Sequence, residues 1–184
     1  MYFNWGYNDC DYIRLRSGLV ERLRKAKAAL PNGWNFKVWD GHRTLKTQKI
    51  LYDNYWDELL AKNPEWLEEQ LHKAVQIFVS SPSRDRRLPA PHNTGGAVDL
   101  TIVDASGKEI DMGTVFDEFN EKSYTAHFKE GQFFENRSLL CEVLGGVGLV
   151  NYHEEWWHFS YGDLEWARQT GEEFAIYGSM ELTS

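Results

Sequence analysis

The stretch His92-Asn-Thr-Gly-Gly-Ala-Val-Asp-Leu-Thr-Ile-Val103 decides how the rest of the chain is read. Its second half, Ala97 to Val103, is short, β-branched and closed by the turn sequence Asp104-Ala-Ser-Gly107, which predicts a strand. Side chains alternate along a strand, so Val98, Leu100 and Ile102 point one way and Ala97, Asp99 and Thr101 the other. A carboxylate flanked by small residues faces a cavity or solvent. Upstream, the chain from Ser80 to Gly96 is rich in proline, serine and glycine and reads as a long surface loop, of the kind that carries function. His92 ends that loop, and Gly95-Gly96 allow a tight turn into the strand.

Working outward, a helix is expected from Ser17, as N-cap, to Leu30, with Leu19, Leu23 and Ala26 on its apolar stripe and Pro31-Asn-Gly33 as its stop. Trp34 to Trp39 alternates as a second strand and stops at Asp40-Gly41. Leu45 to Leu60 reads as helix, and Asn63-Pro64 as the cap and first residue of another running to about Val79. Asn136 to Leu144 is helical up to Gly145-Gly146, glycines that signal a helix stop; no Lys-Ser/Thr follows to make them a phosphate loop. Val147 to Tyr152 and Trp156 to Tyr161, separated by His153-Glu-Glu, suggest a β-hairpin, and the tail from Gly162 is weakly patterned. The fold class is therefore α+β: a small, mostly antiparallel sheet with helices packed against it, in one domain spanning residues 1–184.

A formal net charge of −8 over 184 residues argues against nucleic acid or an anionic membrane as partner, since the summed field repels polyanions. Met1 to Asp9 lacks a basic region followed by an apolar core, and no segment approaches the length of a membrane span, so a cytoplasmic protein is expected. Cys10 and Cys141 sit in no metal-binding spacing and read as free thiols. Eight tryptophans suit a rigid core or a lined pocket, and the acidic balance argues against a base-stacking platform.

Two histidine–carboxylate clusters carry the chemistry. The first is His92 with Asp99. The second is Glu155-Trp-Trp-His158, where an odd step of three would send Glu155 and His158 to opposite faces of a regular strand. Glu155 must then lie in the turn before the strand if the two are to share a site. His92, Asp99 and His158 together supply two imidazoles and a carboxylate, a set that leaves one open position on a single tetrahedral zinc ion. Zinc lowers the proton affinity of water, Glu155 fits the part of general base, and Arg43, just past the second strand, fits that of a fixed cation for a developing oxyanion. The HExxH arrangement is excluded, because His153 and His158 are five apart and not four. His42, His72, His127 and His153 read as packed or surface residues.

His92-x6-Asp99-Leu-Thr, Asp111-Met-Gly-Thr-x-Phe-Asp117 and Glu155-Trp-Trp-His158-Phe, spread in order between about Asp40 and Tyr161, resemble the motifs of the D-alanyl-D-alanine dipeptidase (VanX-like) family of zinc peptidases. The resemblance implies zinc held by His92, Asp99 and His158, Glu155 as catalytic base, Arg43 as transition-state stabiliser and Asp40 as its orienting partner. It also implies that Asp117 binds the substrate's free amino group, an anion facing an ammonium; a serine common in the family two residues before the first histidine is here Ala90. The activity it implies is hydrolysis of a small dipeptide, D-Ala-D-Ala, in the context of peptidoglycan and the cell wall. Two alternatives stay open at this point: a D,D-carboxypeptidase acting on peptidoglycan stem peptides, and a non-catalytic zinc-containing binding module.

Overall fold

The computed structural model describes residues 11–180 except Arg86; Cys10 and the Met1–Asp9 stretch lie outside them. In order, the elements are α1 (Ser17–Lys27), β1 (Asn35–Asp40), α2 (Leu45–Lys62), α3 (Glu68–Phe78), β2 (Ala97–Val103), α4 (Gly131–Gly145), β3 (Val150–Asn151), β4 (His158–Ser160) and α5 (Leu164–Thr170). The four strands form one antiparallel sheet in the order β1-β2-β4-β3. The α+β reading thus describes the architecture.

The alternation of β2 sorts its two faces. Val98, Leu100 and Ile102 pack with Leu19 and Ala26 of α1, Leu30 just past its end, and Leu140, Val143 and Leu144 of α4, forming the main core. Phe159 pairs with Val98 and joins that face. The opposite face carries the site. Asp99 is paired on one side with Asp40 and on the other with His158, so three polar residues stand in a row across β1, β2 and β4.

That row depends on an irregularity in β1. Val38 pairs with Leu100, yet Asp40 pairs with Asp99: two steps on β1 oppose one on β2, which is a β-bulge at Trp39. A regular strand would turn Trp39 toward the site and Asp40 toward the core. With the extra residue, Trp39 stacks on Phe116 at 4.6 Å between ring centres inside the core, and Asp40 faces Asp99.

α2 and α3 form a second, smaller cluster, in which Tyr55, Val75 and Val79 pack with Phe78 and Phe119. Tyr152 joins it to the β3–β4 connection by donating to the Ile77 carbonyl at 3.0 Å. The segment between β2 and α4 is held from α4: buried Arg137 donates to the carbonyls of Met112 (2.7 Å) and Tyr124 (2.8 Å), and Asn136 to that of Asp111 (2.6 Å). Burial lowers the Arg137 pKa to about 10.

Several boundaries differ from the sequence reading for identifiable reasons. Arg16, not Ser17, is the N-cap of α1. Asn63 ends α2 rather than starting α3, its side chain donating to Leu59 O; α3 begins after Leu67, whose N–H is taken by the Gln70 side chain. The hairpin strands are shorter than their apolar runs, because Trp156 and Trp157 lie in the turn and are buried there as core residues. α4 starts five residues earlier than Asn136, at Gly131. The weakly patterned tail contains α5 and then returns to the body of the protein, with Tyr177 N–H donating to Gly162 O (2.7 Å) and Met180 N–H to Asn93 O (2.7 Å).

Candidate metal and active site

His92 projects from a single 3₁₀ turn, Pro91–Thr94, which the left-handed Gly95 (φ 69°) closes before β2 begins. The loop expected on the surface thus dives inward at its end: Ala90, His92, Asn93 and Thr94 are all buried. The turn is fastened by distant backbone. Arg43 N–H donates to His92 O (3.1 Å), Arg16 N–H to Gly95 O (2.9 Å) and the Arg16 side chain to Thr94 O (2.8 Å), while Asn93 donates to Arg43 O (2.7 Å).

His92, Asp99 and His158 converge. His92 Nε2 and His158 Nδ1 are 3.1 Å apart, and Asp99 places one oxygen 3.3 Å from the first and the other 3.0 Å from the second. All three residues are at most 6 % exposed. The ligand atoms of a tetrahedral zinc ion, with bonds of ~2.0–2.1 Å, lie ~3.3 Å from one another, and these three residues each offer one ligand atom within 4.8 Å of the others, a cluster that could close on such an ion. His92 Nδ1 is engaged by the Gly41 carbonyl at 2.7 Å, which leaves Nε2 to face the cluster. Burial and the Arg43 cation both oppose protonation of His92, but Asp99 and Asp40 outweigh them and raise its pKa. Burial alone would raise the Asp99 carboxyl; the two histidines instead hold it far below the usual carboxylate range. A site that attracts protons this strongly between imidazole and carboxylate attracts a divalent cation for the same reason.

Glu155 lies in the turn before β4, as sharing a site with His158 demanded, and its Oε2 is 3.7 Å from His158 Nδ1. Asn151 holds that turn by donating to the carbonyls of Glu155 (3.0 Å) and His158 (2.9 Å). Burial, then the charges of Asp99 and Asp117, push the Glu155 pKa well up, with Arg43 opposing. Arg43 is itself buried; its guanidinium donates to Asp40 and, at 3.2 Å, to Asp99.

Arg43, Asp117, Glu155 and the three clustered residues line one cavity of about 660 Å³, walled on the far side by Tyr55, Phe78 and Phe119. Asp117 is in no helix; it is the one non-glycine residue with positive φ (60°) among those described. Backbone held in that region is a hallmark of functional positions.

A profile of the D-ala-D-ala dipeptidase family matches residues 12–175. The chain is 30 % identical over 196 aligned residues to a D-alanyl-D-alanine dipeptidase of Synechocystis, covering 91 % of this chain and 79 % of that one. The chain belongs to the D-Ala-D-Ala dipeptidase family, and so is a zinc metallopeptidase. A D-alanyl-D-alanine dipeptidase of Escherichia coli is 42 % identical over 154 residues, 83 % of this chain and 68 % of the other. In fold it is similar to a solved vancomycin-resistance D,D-pentapeptidase, VanY, in complex with Zn(II), at 19 % identity and a TM-score of 0.54, covering 90 % of this chain and 83 % of that one. A complex of VanYB with D-alanine-D-alanine gives the same TM-score at 18 % identity, over 89 % and 81 % of the two chains.

Sequence reasoning passed over two buried residues next to this site, Ser160 and Asp163, both 1 % exposed. The signal was present: Asp163-Leu-Glu165 is an N-cap followed by an acidic first turn, the start of α5.

Proposed function

We propose that this family member is a single-domain enzyme that hydrolyses the peptide bond of D-Ala-D-Ala, with His92, Asp99 and His158 holding one zinc ion. The observation that carries the proposal is the buried convergence of those three side chains on the cavity that also receives Glu155 and Arg43. When bound, zinc supplies Lewis acidity toward the scissile carbonyl and lowers the proton affinity of water. Glu155 takes the proton of the attacking water and delivers it to the departing amine; its raised pKa brings it toward the range where a carboxyl both accepts and returns a proton. Arg43, held by Asp40, offsets charge that develops on the carbonyl oxygen. Asp117 accepts from the free ammonium of the dipeptide, favouring substrates with an unblocked amino end.

A cytoplasmic setting belongs to the same proposal and suits the free thiol of Cys141. The substrate would be a small peptide of cell-wall origin. The test is metal analysis together with amine release from D-Ala-D-Ala before and after chelation, with N-acetyl-D-Ala-D-Ala alongside. One equivalent of zinc and chelator-sensitive turnover of the free dipeptide are expected; preferential turnover of the acetylated substrate would instead point to a D,D-carboxypeptidase.

A further inference from the structure

The two histidines of the site have their outward nitrogens satisfied in different ways. His92 Nδ1 has the Gly41 carbonyl, an acceptor with no proton of its own, so this nitrogen carries the hydrogen. His158 Nε2 faces a hydroxyl, Ser160 Oγ, at 3.4 Å, and a hydroxyl can either donate or accept. What settles its direction is Asp163. Ser160 Oγ lies 2.6 Å from Asp163 Oδ2, and an ionised carboxylate only accepts, so the serine's single hydrogen is committed there. The other Asp163 oxygen accepts the Trp166 N–H at 2.8 Å as the N-cap of α5, which fixes the carboxylate in place. The serine then has only lone pairs to offer His158, which favours a hydrogen on Nε2 and frees Nδ1 to ligate when the ion takes its place beside Asp99.

We infer that Asp163 and Ser160 form a buried relay that fixes the tautomer of His158, leaving the Nδ1 lone pair aimed at Asp99 and His92 where the ion sits. The inference rests on the metal-site reading above. Both are positioning residues: neither borders the substrate cavity, and they act through His158. β4 and α5 are thereby coupled, since the cap of one is the orienting group of the other.

The relay makes an unusual prediction for Asp163→Asn. Asparagine is as good an N-cap as aspartate, so α5 and the fold are kept. Its amide, however, presents N–H groups to Ser160, freeing the serine hydrogen to point at His158 Nε2 and favouring the Nδ1–H tautomer, which cannot ligate through Nδ1. Zinc affinity, measured by competition with a chromophoric chelator, is expected to fall ~10–100-fold in Asp163→Asn and in Ser160→Ala. Ser160→Thr, which keeps the hydroxyl, should stay close to the parent, and melting curves monitor the fold in each case. Parent-like zinc affinity in both Asp163→Asn and Ser160→Ala overturns the relay. A parent that binds no zinc, or binds it unchanged after His92→Ala, overturns the metal site itself, so the two failures are distinguishable.

Discussion

The two segments that bring histidines to the site differ in where their side-chain fastenings come from. Pro91 to Asp99 is fastened at long range, by backbone and side-chain bonds to Arg16, Gly41, Arg43 and Met180, residues drawn from three separate parts of the chain. Glu155 to Asp163 is paired through backbone to β2 and to Ser123 as well, but it adds local side-chain fastenings from Asn151, Ser160 and Asp163, all within a dozen residues of His158. The difference teaches where each half is vulnerable. A backbone fastening survives most single substitutions and fails with the fold as a whole, whereas a side-chain fastening can be removed one group at a time while the fold stands.

The largest effect is expected in the second segment. Glu155→Gln should keep zinc and melting temperature while kcat falls ~10²–10⁴-fold, the usual worth of a positioned general base; unchanged kcat would remove Glu155 from the mechanism. Next comes the seam where the segments meet. Tyr161 N–H donates to Gly96 O at 2.8 Å, and a methyl on Gly96 would stand 2.6 Å from the Tyr161 carbonyl oxygen. Gly96→Ala should therefore cost ~1–3 kcal/mol in denaturant unfolding and weaken zinc binding along with it. Stability equal to the parent would mean that the two segments separate without loss, and the comparison would collapse.

Asn151→Ala sharpens it from the other side. Losing two hydrogen bonds to buried carbonyls should cost ~1–2 kcal/mol and lower kcat more than zinc affinity, because the turn carrying Glu155 loosens while Asp99 and His92 stay put. Arg16→Ala, which removes one donor among several from the first segment, should cost only ~0.5–1.5 kcal/mol and leave kcat within a few-fold of the parent.

The smallest effect serves as a control on all of these. Burial pushes the Cys141 thiol up to about 11, so little thiolate exists in the folded protein near neutrality. Its alkylation at pH 8, mapped by peptide mass spectrometry, should be slow in the parent and in every locally loosened variant, and fast only where the core opens. The sign is that of a raised pKa: folding keeps the thiol's proton, a contribution complete below the unfolded thiol's ordinary value near 9 and lost as pH climbs through about 11.

Much of this was legible in the residues. The alternation of β2 separated Val98, Leu100 and Ile102 from Asp99, and the odd spacing of Glu155 and His158 required a turn between them, which is what the fold contains. What was not legible depended on partners far along the chain. The Trp156-Trp157 pair has the hydrophobicity of a strand, but its burial is against Trp39 and Phe116, contacts that no local pattern reports. Ser160 and Asp163 looked like unremarkable polar residues until β4 and α5 brought them beneath His158. The Asn63-Pro64 pair satisfied the rules for a helix start equally well as for a helix end, and Leu59 O, four residues back, decided between them.

The extra residue at Trp39 makes the N-terminal edge strand work as a two-phase ruler. Upstream of it, the even positions Phe36 and Val38 answer to the core; from Trp39 onward the assignment is exchanged, so that consecutive residues serve oil and ion in turn. Straightening the strand without removing a residue would set Trp39 opposite Asp99 and Asp40 opposite Val98, handing an indole to the catalytic side and a carboxylate to the interior. Grafting this site onto another sheet therefore means transplanting the irregularity along with the side chains.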